Sequence, residues 1–282
     1  MEKITETRVL DHGVVALLEI MGSDKTIADS ARISYNKEST KQTSTDEQLI
    51  RYLVRHRHTS PLEMGIVRFY LKLPIFVARQ LVRHRTASLN EVSGRYSELP
   101  DDMYVPDRSQ LGSQSTDNKQ GRAAVDDDDV DAYAYHQNII EQAGTDAYEE
   151  YQWLLQQSVS REISRIVLPL ATYTEMIWSC DVHNFLHFLK LRLDPHAQYE
   201  MRVFAQAMHD AVEPHFPIVF KAFNDYILHA HTLSAAELNL LSKLLQNSEV
   251  EHLPTLDEAQ QLGMSTREHT EFTTWLESLL KR

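Results

Sequence analysis

The stretch IVRFYLKLPIFVARQLVRHRTASLNEVSGRYS, residues 66–97, decides the fold. Its first part, residues 66–73, places an apolar side chain at every second position, which predicts a half-buried strand. Pro74 suits the first turn of a helix that we expect to run to Arg85, because its fixed φ matches a helix and its missing N–H costs nothing there. A loop follows, in which Gly94 allows the backbone to approach another group closely.

Further strands and helices are expected on both sides of this stretch. Residues 14–21 are mostly apolar and are followed by a glycine, which predicts a buried strand, and residues 171–179 predict another. Residues 131–157 have the spacing of a long helix. Few strands among long helices indicate an α+β fold with a mixed sheet.

Capping residues mark the starts of several helices, because their side chains accept hydrogen bonds from the first free backbone N–H groups. We expect helix starts at four such signals: Ser44–Glu47, Asp181, Asp194–Pro195 and Ser234–Glu237.

The composition is typical of a globular protein from a reducing compartment. Hydrophobic residues make up 42% of the 282 positions, and the single cysteine, Cys180, provides no disulfide framework and no paired-cysteine metal site. The first residues lack a basic segment followed by an apolar run, and no stretch of about 20 apolar residues occurs. We therefore expect a cytoplasmic protein without a signal peptide or a membrane span. Its net charge of −13 argues against nucleic-acid and anionic-membrane partners.

Two segments differ in composition from the rest of the chain. Residues 101–131 contain nine aspartates against three basic residues, which indicates an acidic insertion, and the run Asp126–Asp129 lacks the spacing of a calcium-binding loop. The last part of the chain is polar and rich in helix formers. We therefore expect one domain over residues 1–230 and a helical extension over residues 231–282.

An unusual concentration of positive charge lies within the opening stretch. Between residues 79 and 97, four arginines stand against a single acid, Glu91: Arg79, Arg83, Arg85 and Arg95. Arginines on helices usually face solvent, but this segment has no local carboxylates to neutralise four of them. Guanidinium groups match phosphate or carboxylate with two parallel hydrogen bonds, so an anionic ligand is the simplest partner. The phosphate-loop and dinucleotide-binding motifs are absent, so the pattern indicates a site for a phosphorylated small molecule.

If the predicted helix runs to Arg85, Gln80, Arg83 and His84 share one of its faces, because residues three or four apart are neighbours on a helix.

RHRTASLNEVS, residues 83–93, resembles the signature of the flavin-dependent thymidylate synthases. Five longer segments are similar to that family: residues 21–35, 58–85, 93–99, 160–178 and 185–202. The resemblance covers roughly residues 1–225, and the acidic insertion and the tail depart from it. It implies a methyltransferase that converts dUMP to dTMP, with methylenetetrahydrofolate supplying the carbon, FAD carrying the hydride and NADPH reducing the flavin. It also implies a homotetramer whose active sites are shared between chains.

The resemblance implies a dUMP site made of seven residues: Gln80, Arg83, Ser93, Gly94, Arg95, Arg165 and Arg192. Arg192 matches the arginine that activates uracil. A guanidinium stays protonated and cannot act as a base, but it stabilises negative charge at uracil N3 and O2, which makes C5 more nucleophilic.

The resemblance implies a flavin site made of nine residues: His58, Ser60, Arg83, His84, Arg85, Glu91, Asp181, His183 and His187. Asp181 stands where the family often has asparagine, so an acceptor is kept and an amide donor is lost. His183 and His187 have the i, i+4 spacing of zinc ligands, but no third ligand stands at a matching distance, so no metal is expected.

Several other interpretations stay open at this point. Ser93 is interpreted as a donor to the nucleotide, with a nucleophile as the alternative, since a nucleophile needs an adjacent base. Cys180 is expected to be structural. The pair His209–Asp210 raises an HD-type metal-dependent nucleotide phosphohydrolase as an alternative function, and a non-catalytic nucleotide sensor is another.

Overall fold

The computed structural model describes residues 2–34, 44–116, 119–123, 130–247 and 253–280. Its centre is a five-stranded sheet in the order β1–β2–β3–β5–β4. The strands are β1 Thr5–Val9, β2 Gly13–Met21, β3 Ile66–Pro74, β4 Ser88–Glu91 and β5 Tyr173–Asp181. Every strand pair within the described ranges is antiparallel. The α+β class is confirmed, but the mixed sheet is wrong, because the long connection from β3 to β5 reverses the chain direction.

The helices cover most of the rest of the described chain. They are α1 Asp24–Arg32, α2 Asp46–Arg55, α3 Ile75–Leu81, α4 Val130–Gln156, α5 Arg161–Ser164, α6 Val182–Arg192, α7 Tyr199–Val212, α8 Pro217–Phe223, α9 Ala235–Gln246, α10 Leu256–Gln261 and α11 Thr266–Leu280. None of the helices in these ranges combines the length and the apolar character that crossing a bilayer requires.

The alternation predicted for β3 is confirmed, and the inward side chains of this strand belong to the core. Its inward side chains, Val67, Phe69, Leu71 and Leu73, are fully buried. Phe69 contacts the ring of Phe185 from α6, with 5.8 Å between ring centroids. The sheet thus buries one face against α6, which fixes where that helix lies.

Two of the predicted helix starts are confirmed and two are corrected. Asp181 caps α6 and Ser234 caps α9, as expected. The capping box of α2 joins Thr45 to Gln48, one residue later than the expected Ser44–Glu47, because the helix begins at Asp46.

The start expected at Asp194–Pro195 is wrong. Asp194 Oδ1 accepts a hydrogen bond from the backbone N–H of His196 at 2.8 Å, which closes a local turn, and α7 begins only at Tyr199. A short acidic side chain that bonds the backbone two residues on favours a turn over a helix start.

The helix expected to reach Arg85 ends at Leu81. The N–H groups of Arg83 and His84 bond to the carbonyls three residues earlier, which tightens the chain into turns. The chain must leave the helix here because β4 pairs with β5 only a few residues later, at Ser88 opposite Ser179. Gln80, Arg83 and His84 therefore do not share a helix face.

The chain divides into two compact units, Met1–His229 and Ala230–Arg282. The first unit contains the sheet with α1 to α8. In the second, the Ser242 hydroxyl donates to the carbonyl of Leu279, which ties α9 to α11. The run Asp126–Asp129 lies outside the described residues.

Candidate active site

A cavity of about 720 Å³ lies between α6 and the turn that follows α3. Its wall consists of Arg83, His84, Arg85, Thr86, His183, Asn184, His187, Leu191 and Arg192. Six of these are residues that the sequence predicted for the site: Arg83, His84, Arg85, His183, His187 and Arg192. The structure therefore brings together residues that lie about a hundred positions apart in the chain.

Helix α6 provides one side of the cavity through its register. His183, His187 and Leu191 follow one another at intervals of four, so they lie on the same face of the helix. Asp181 fixes the start of that register, because its Oδ1 accepts the N–H of Asn184 at 2.8 Å.

The carboxylate of Asp181 also holds a residue that the sequence analysis missed. Its Oδ2 accepts the side-chain amide of Asn184 at 2.7 Å, and Asn184 lies in the cavity wall whereas Asp181 does not. Both oxygens of Asp181 thus accept hydrogen bonds from Asn184, and the amide group of Asn184 borders the cavity.

Arg192 and His84 form the polar centre of the cavity. Arg192 Nε donates to His84 Nε2 at 3.0 Å, and Arg192 Nη2 donates to the carbonyl of Gln80 at 3.1 Å. Burial, together with the nearby charges of Arg192 and His187, lowers the pKa of His84 to about 4. His84 is therefore a neutral acceptor at neutral pH, and Arg192 is held by two bonds with its third nitrogen directed to no described residue.

A second cluster contains four of the other five residues predicted for the nucleotide: Ser93, Gly94, Arg95 and Arg165. A Cβ on Gly94 would come within 3.1 Å of Leu99 Cδ1 and 3.2 Å of Arg165 Cδ, so the close approach predicted for this glycine is confirmed. Arg95 Nε pairs with Glu162 Oε1 at 3.2 Å, and both side chains are more than half exposed. None of Ser93, Gly94, Arg95 and Arg165 is in the cavity wall of the described chain.

Besides Asp181, three residues predicted for the flavin lie outside the cavity wall. His58 stacks on the ring of Tyr52, with 5.7 Å between centroids. Ser60 is in the turn that follows His58, and Glu91 Oε1 accepts a hydrogen bond from the Thr174 hydroxyl at 2.6 Å.

Gln80, predicted for the nucleotide, is just beyond the cavity wall and is engaged by a residue that the sequence analysis missed. Its side-chain Nε2 donates to Gln198 Oε1 at 2.5 Å. Gln198 directly precedes α7, and no local sequence signal pairs it with α3.

The residues considered as nucleophiles or metal ligands lie in surroundings that indicate a structural role. Cys180 is 6% exposed in β5, where burial and the neighbouring Asp181 raise the pKa of its thiol. Ser93 Oγ accepts the N–H of Arg95 at 3.3 Å within the loop. His209 contacts the ring of Phe220 at 5.0 Å, and no group of three metal-ligating side chains occurs within the described residues. The geometry gives no support to an HD-type metal site.

The fold and the cavity define an α+β protein with a cavity lined by guanidinium and imidazole groups, which suit an anionic ligand. Residues 16–218 match the family model described as thymidylate synthase complementing protein. The chain is 45% identical over 250 residues to the flavin-dependent thymidylate synthase of Wolbachia pipientis wMel, covering 87% of this chain and 85% of the relative. It is 42% identical over 278 residues to that of Gluconobacter oxydans (strain 621H), covering 97% and 88%. The chain therefore belongs to the flavin-dependent thymidylate synthase family, which confirms the resemblance.

Solved structures agree with this assignment. The UMP/dUMP methylase PolB from Streptomyces cacaoi, bound with 5-Br UMP, superposes with a TM-score of 0.69 at 33% identity, covering 78% of this chain and 96% of that chain. The same protein bound with 5-Br dUMP gives the same values, except that 97% of that chain is covered.

Proposed function

We propose that this protein methylates dUMP to dTMP, with methylenetetrahydrofolate as the carbon donor and FAD and NADPH providing the hydride. The observation that carries the proposal is the pairing of Arg192 with His84 across the cavity, because it joins the family signature at residues 83–85 to the arginine expected to activate uracil. The named relatives and the ligand of the similar methylase support the same substrate.

Arg192 is built to stabilise negative charge on the pyrimidine. His84 and the carbonyl of Gln80 hold its guanidinium plane, and its remaining nitrogen is left to face a ligand. A fixed positive group beside uracil N3 and O2 stabilises negative charge at these atoms, and this charge makes C5 nucleophilic enough to attack the one-carbon unit. Since His84 stays neutral, it does not compete with Arg192 for that negative charge.

The hydrogen-bond donors in the cavity wall suit a flavin nucleotide. Arg83 and Arg85 offer paired donors to a pyrophosphate, the amide of Asn184 suits ribityl hydroxyls, and Leu191 offers an apolar contact to a ring. FAD, when bound, carries the hydride that NADPH provides. We propose a flavin site that contains the nine residues expected from the sequence: His58, Ser60, Arg83, His84, Arg85, Glu91, Asp181, His183 and His187. In it Asp181 acts by positioning Asn184, which restores the amide donor that the family's asparagine would give.

The nucleotide site is proposed to be completed by a second subunit of a homotetramer. One chain presents Gln80, Arg83 and Arg192 at or beside the cavity, whereas Ser93, Gly94, Arg95 and Arg165 gather in a separate cluster. A partner's loop donated across a two-fold axis would bring the two sets together, and the symmetry would create equivalent sites.

A mixture of two inactive variants tests the shared site. Chains with Arg95→Ala and chains with Arg192→Ala are each expected to lack dTMP synthesis. In mixed tetramers, some sites combine an intact loop with an intact Arg192, so activity should return after co-expression. If mixed tetramers form and stay inactive, both arginines serve a site within one chain.

We also propose that residues 1–230 form the synthase domain and residues 231–282 a helical extension, and that the protein works in the cytoplasm. The two compact units and the single cysteine support this arrangement.

The proposed reaction is tested with the purified protein. It should carry flavin absorbance and should couple NADPH oxidation to dTMP formation when dUMP and methylenetetrahydrofolate are both present. A flavin-loaded protein that binds dUMP but forms no dTMP would instead be a nucleotide sensor.

A further inference from the structure

An ion pair joins the acidic insertion to the first turn of α7. Glu200 is 2% exposed, and its Oε1 accepts Arg122 Nη2 at 2.8 Å and the Tyr104 hydroxyl at 3.0 Å. Its Oε2 is buried and has no hydrogen-bond partner. A buried carboxylate with a single neutral donor is costly, so Glu200 depends on the charge of Arg122.

Arg122 is itself held in place by its surroundings. Its Nη1 donates to the carbonyl of Gln110 at 2.9 Å, and its guanidinium lies 5.4 Å from the ring centroid of Tyr199. Both donors to Glu200, together with Gln110, come from residues 101–131. The insertion therefore fixes the N-terminal end of α7 through charge rather than through apolar packing alone.

The same end of α7 reaches the proposed nucleotide site. Gln198 stands two residues before Glu200, and it accepts the side-chain amide of Gln80 at 2.5 Å. The carbonyl of Gln80 accepts Arg192 Nη2 at 3.1 Å. A continuous series of contacts thus runs from Arg122 through the start of α7 to two residues proposed to hold dUMP.

We propose that Arg122 is a positioning residue for dUMP binding, acting through Glu200 on Gln198 and Gln80. This inference rests on the proposed function, since it assigns Gln80 to the nucleotide. When Arg122 is lost, the buried carboxylate of Glu200 keeps only the neutral hydroxyl of Tyr104 as a donor, so it must move towards water. That movement displaces the first turn of α7, and with it the hydrogen bond that orients the Gln80 amide.

A second attachment of the insertion provides a matched control. Asp11 accepts hydrogen bonds from the N–H of Val105 at 2.8 Å and from the Tyr173 hydroxyl at 2.5 Å, and neither bond involves α7 or Gln80. Asp11→Asn should therefore weaken the attachment of the insertion and lower Tm without changing dUMP affinity.

The experiment compares flavin-loaded wild type, Arg122→Ala, Arg122→Lys and Asp11→Asn. Arg122→Ala is expected to raise the Kd of dUMP in calorimetric titration, and its KM, by about tenfold, with kcat changed less than about twofold, because binding geometry is lost before chemistry. Arg122→Lys should recover most of the affinity, since an ammonium still neutralises Glu200. If Arg122→Ala lowers Tm as Asp11→Asn does and leaves the Kd of dUMP unchanged, Arg122 is merely structural and the inference is wrong.

A double-mutant comparison keeps the inference testable if Arg122→Ala does not fold. Glu200→Gln keeps an acceptor for Tyr104 and removes the buried charge, so the dUMP affinity of Arg122→Ala/Glu200→Gln should equal that of Glu200→Gln within about twofold. A further large loss of affinity on adding Arg122→Ala would contradict the coupling. If wild type binds dUMP without forming dTMP, the proposed reaction fails and the affinities still decide the role of Arg122. If wild type binds no dUMP, both proposals fail.

Discussion

Replacing Arg192 by lysine should separate the shape of this residue from its charge. The guanidinium uses Nε for His84 and Nη2 for the carbonyl of Gln80, and we propose that its third nitrogen faces the ligand. A lysine has one nitrogen at the end of a flexible chain, so it cannot make both protein contacts and face uracil at the same time. Positive charge would be preserved while its position would be lost.

The size of the effect follows from the contacts that are lost. Removal of a fixed donor that stabilises a developing negative charge costs about 3 kcal/mol of transition-state stabilisation, or roughly a hundredfold in kcat. The loss should exceed that of a simple hydrogen bond, because His84 and the Gln80 carbonyl are left partly buried without their donor.

The assay is dTMP formation at saturating dUMP with the flavin content matched to wild type. Arg51→Lys is the control, because Arg51 is also largely buried and paired, with Asp225 at 2.6 Å, but lies outside the cavity wall. Arg192→Lys should lose about a hundredfold in kcat while the control keeps its rate. A kcat within about threefold of wild type, less than about 1 kcal/mol, would refute the role of the fixed guanidinium.

Three further results are expected. Cys180→Ala should keep most of its dTMP-forming activity, because the thiol is buried with a raised pKa; loss of activity in a folded, flavin-loaded variant would contradict this. Ser93→Ala should raise KM for dUMP with kcat retained, since a lost donor weakens binding, and abolished kcat with dUMP still bound would restore the nucleophile. His84 has a pKa lowered from 6.5 to about 4, so its contribution to stability is complete above pH 6.5 and declines as pH falls towards 4. The Tm of His84→Gln should fall less than that of wild type as pH is lowered over that window. If the two proteins lose Tm equally, the result would count against a neutral His84.

The strands were predictable where the pattern was local. β3 alternates with the period of a strand and needs no distant information, so its inward face followed from the sequence. β4 was missed because Ser88–Glu91 shows no such period and has no buried residue. It exists because β5 offers a free edge at that point, which the sequence of β4 does not reveal.

The helix boundaries were predictable only where capping decides them. Asp181 caps α6 because its carboxylate satisfies a backbone N–H within three residues. The end of α3 is set by the pairing of β4 with β5, so a pattern that extends to Arg85 overestimates the helix.

The site was predictable to the extent that its residues are neighbours in sequence. Arg83 and Arg85 were found from a concentration of charge that an acidic protein must explain, and the family resemblance added His84. Gln198 and Glu200 were not found as site residues, because their importance arises from contacts with α3 and with the insertion. Such contacts leave no periodic or compositional signal in the sequence.

Asp181 stands where the resemblance implies that the family often has asparagine, and it still caps α6. The cap of α6 needs only an oxygen that accepts the N–H of Asn184, and aspartate and asparagine both have one. That cap sets the register that turns His183 and His187 towards the cavity, since a shift of one residue would rotate them by about 100°. The amide donor that aspartate lacks is present on Asn184, which the second oxygen of Asp181 holds at the cavity wall. Asp181 thus caps α6 and also holds the amide of Asn184 at the cavity wall, and the register of the helix is preserved.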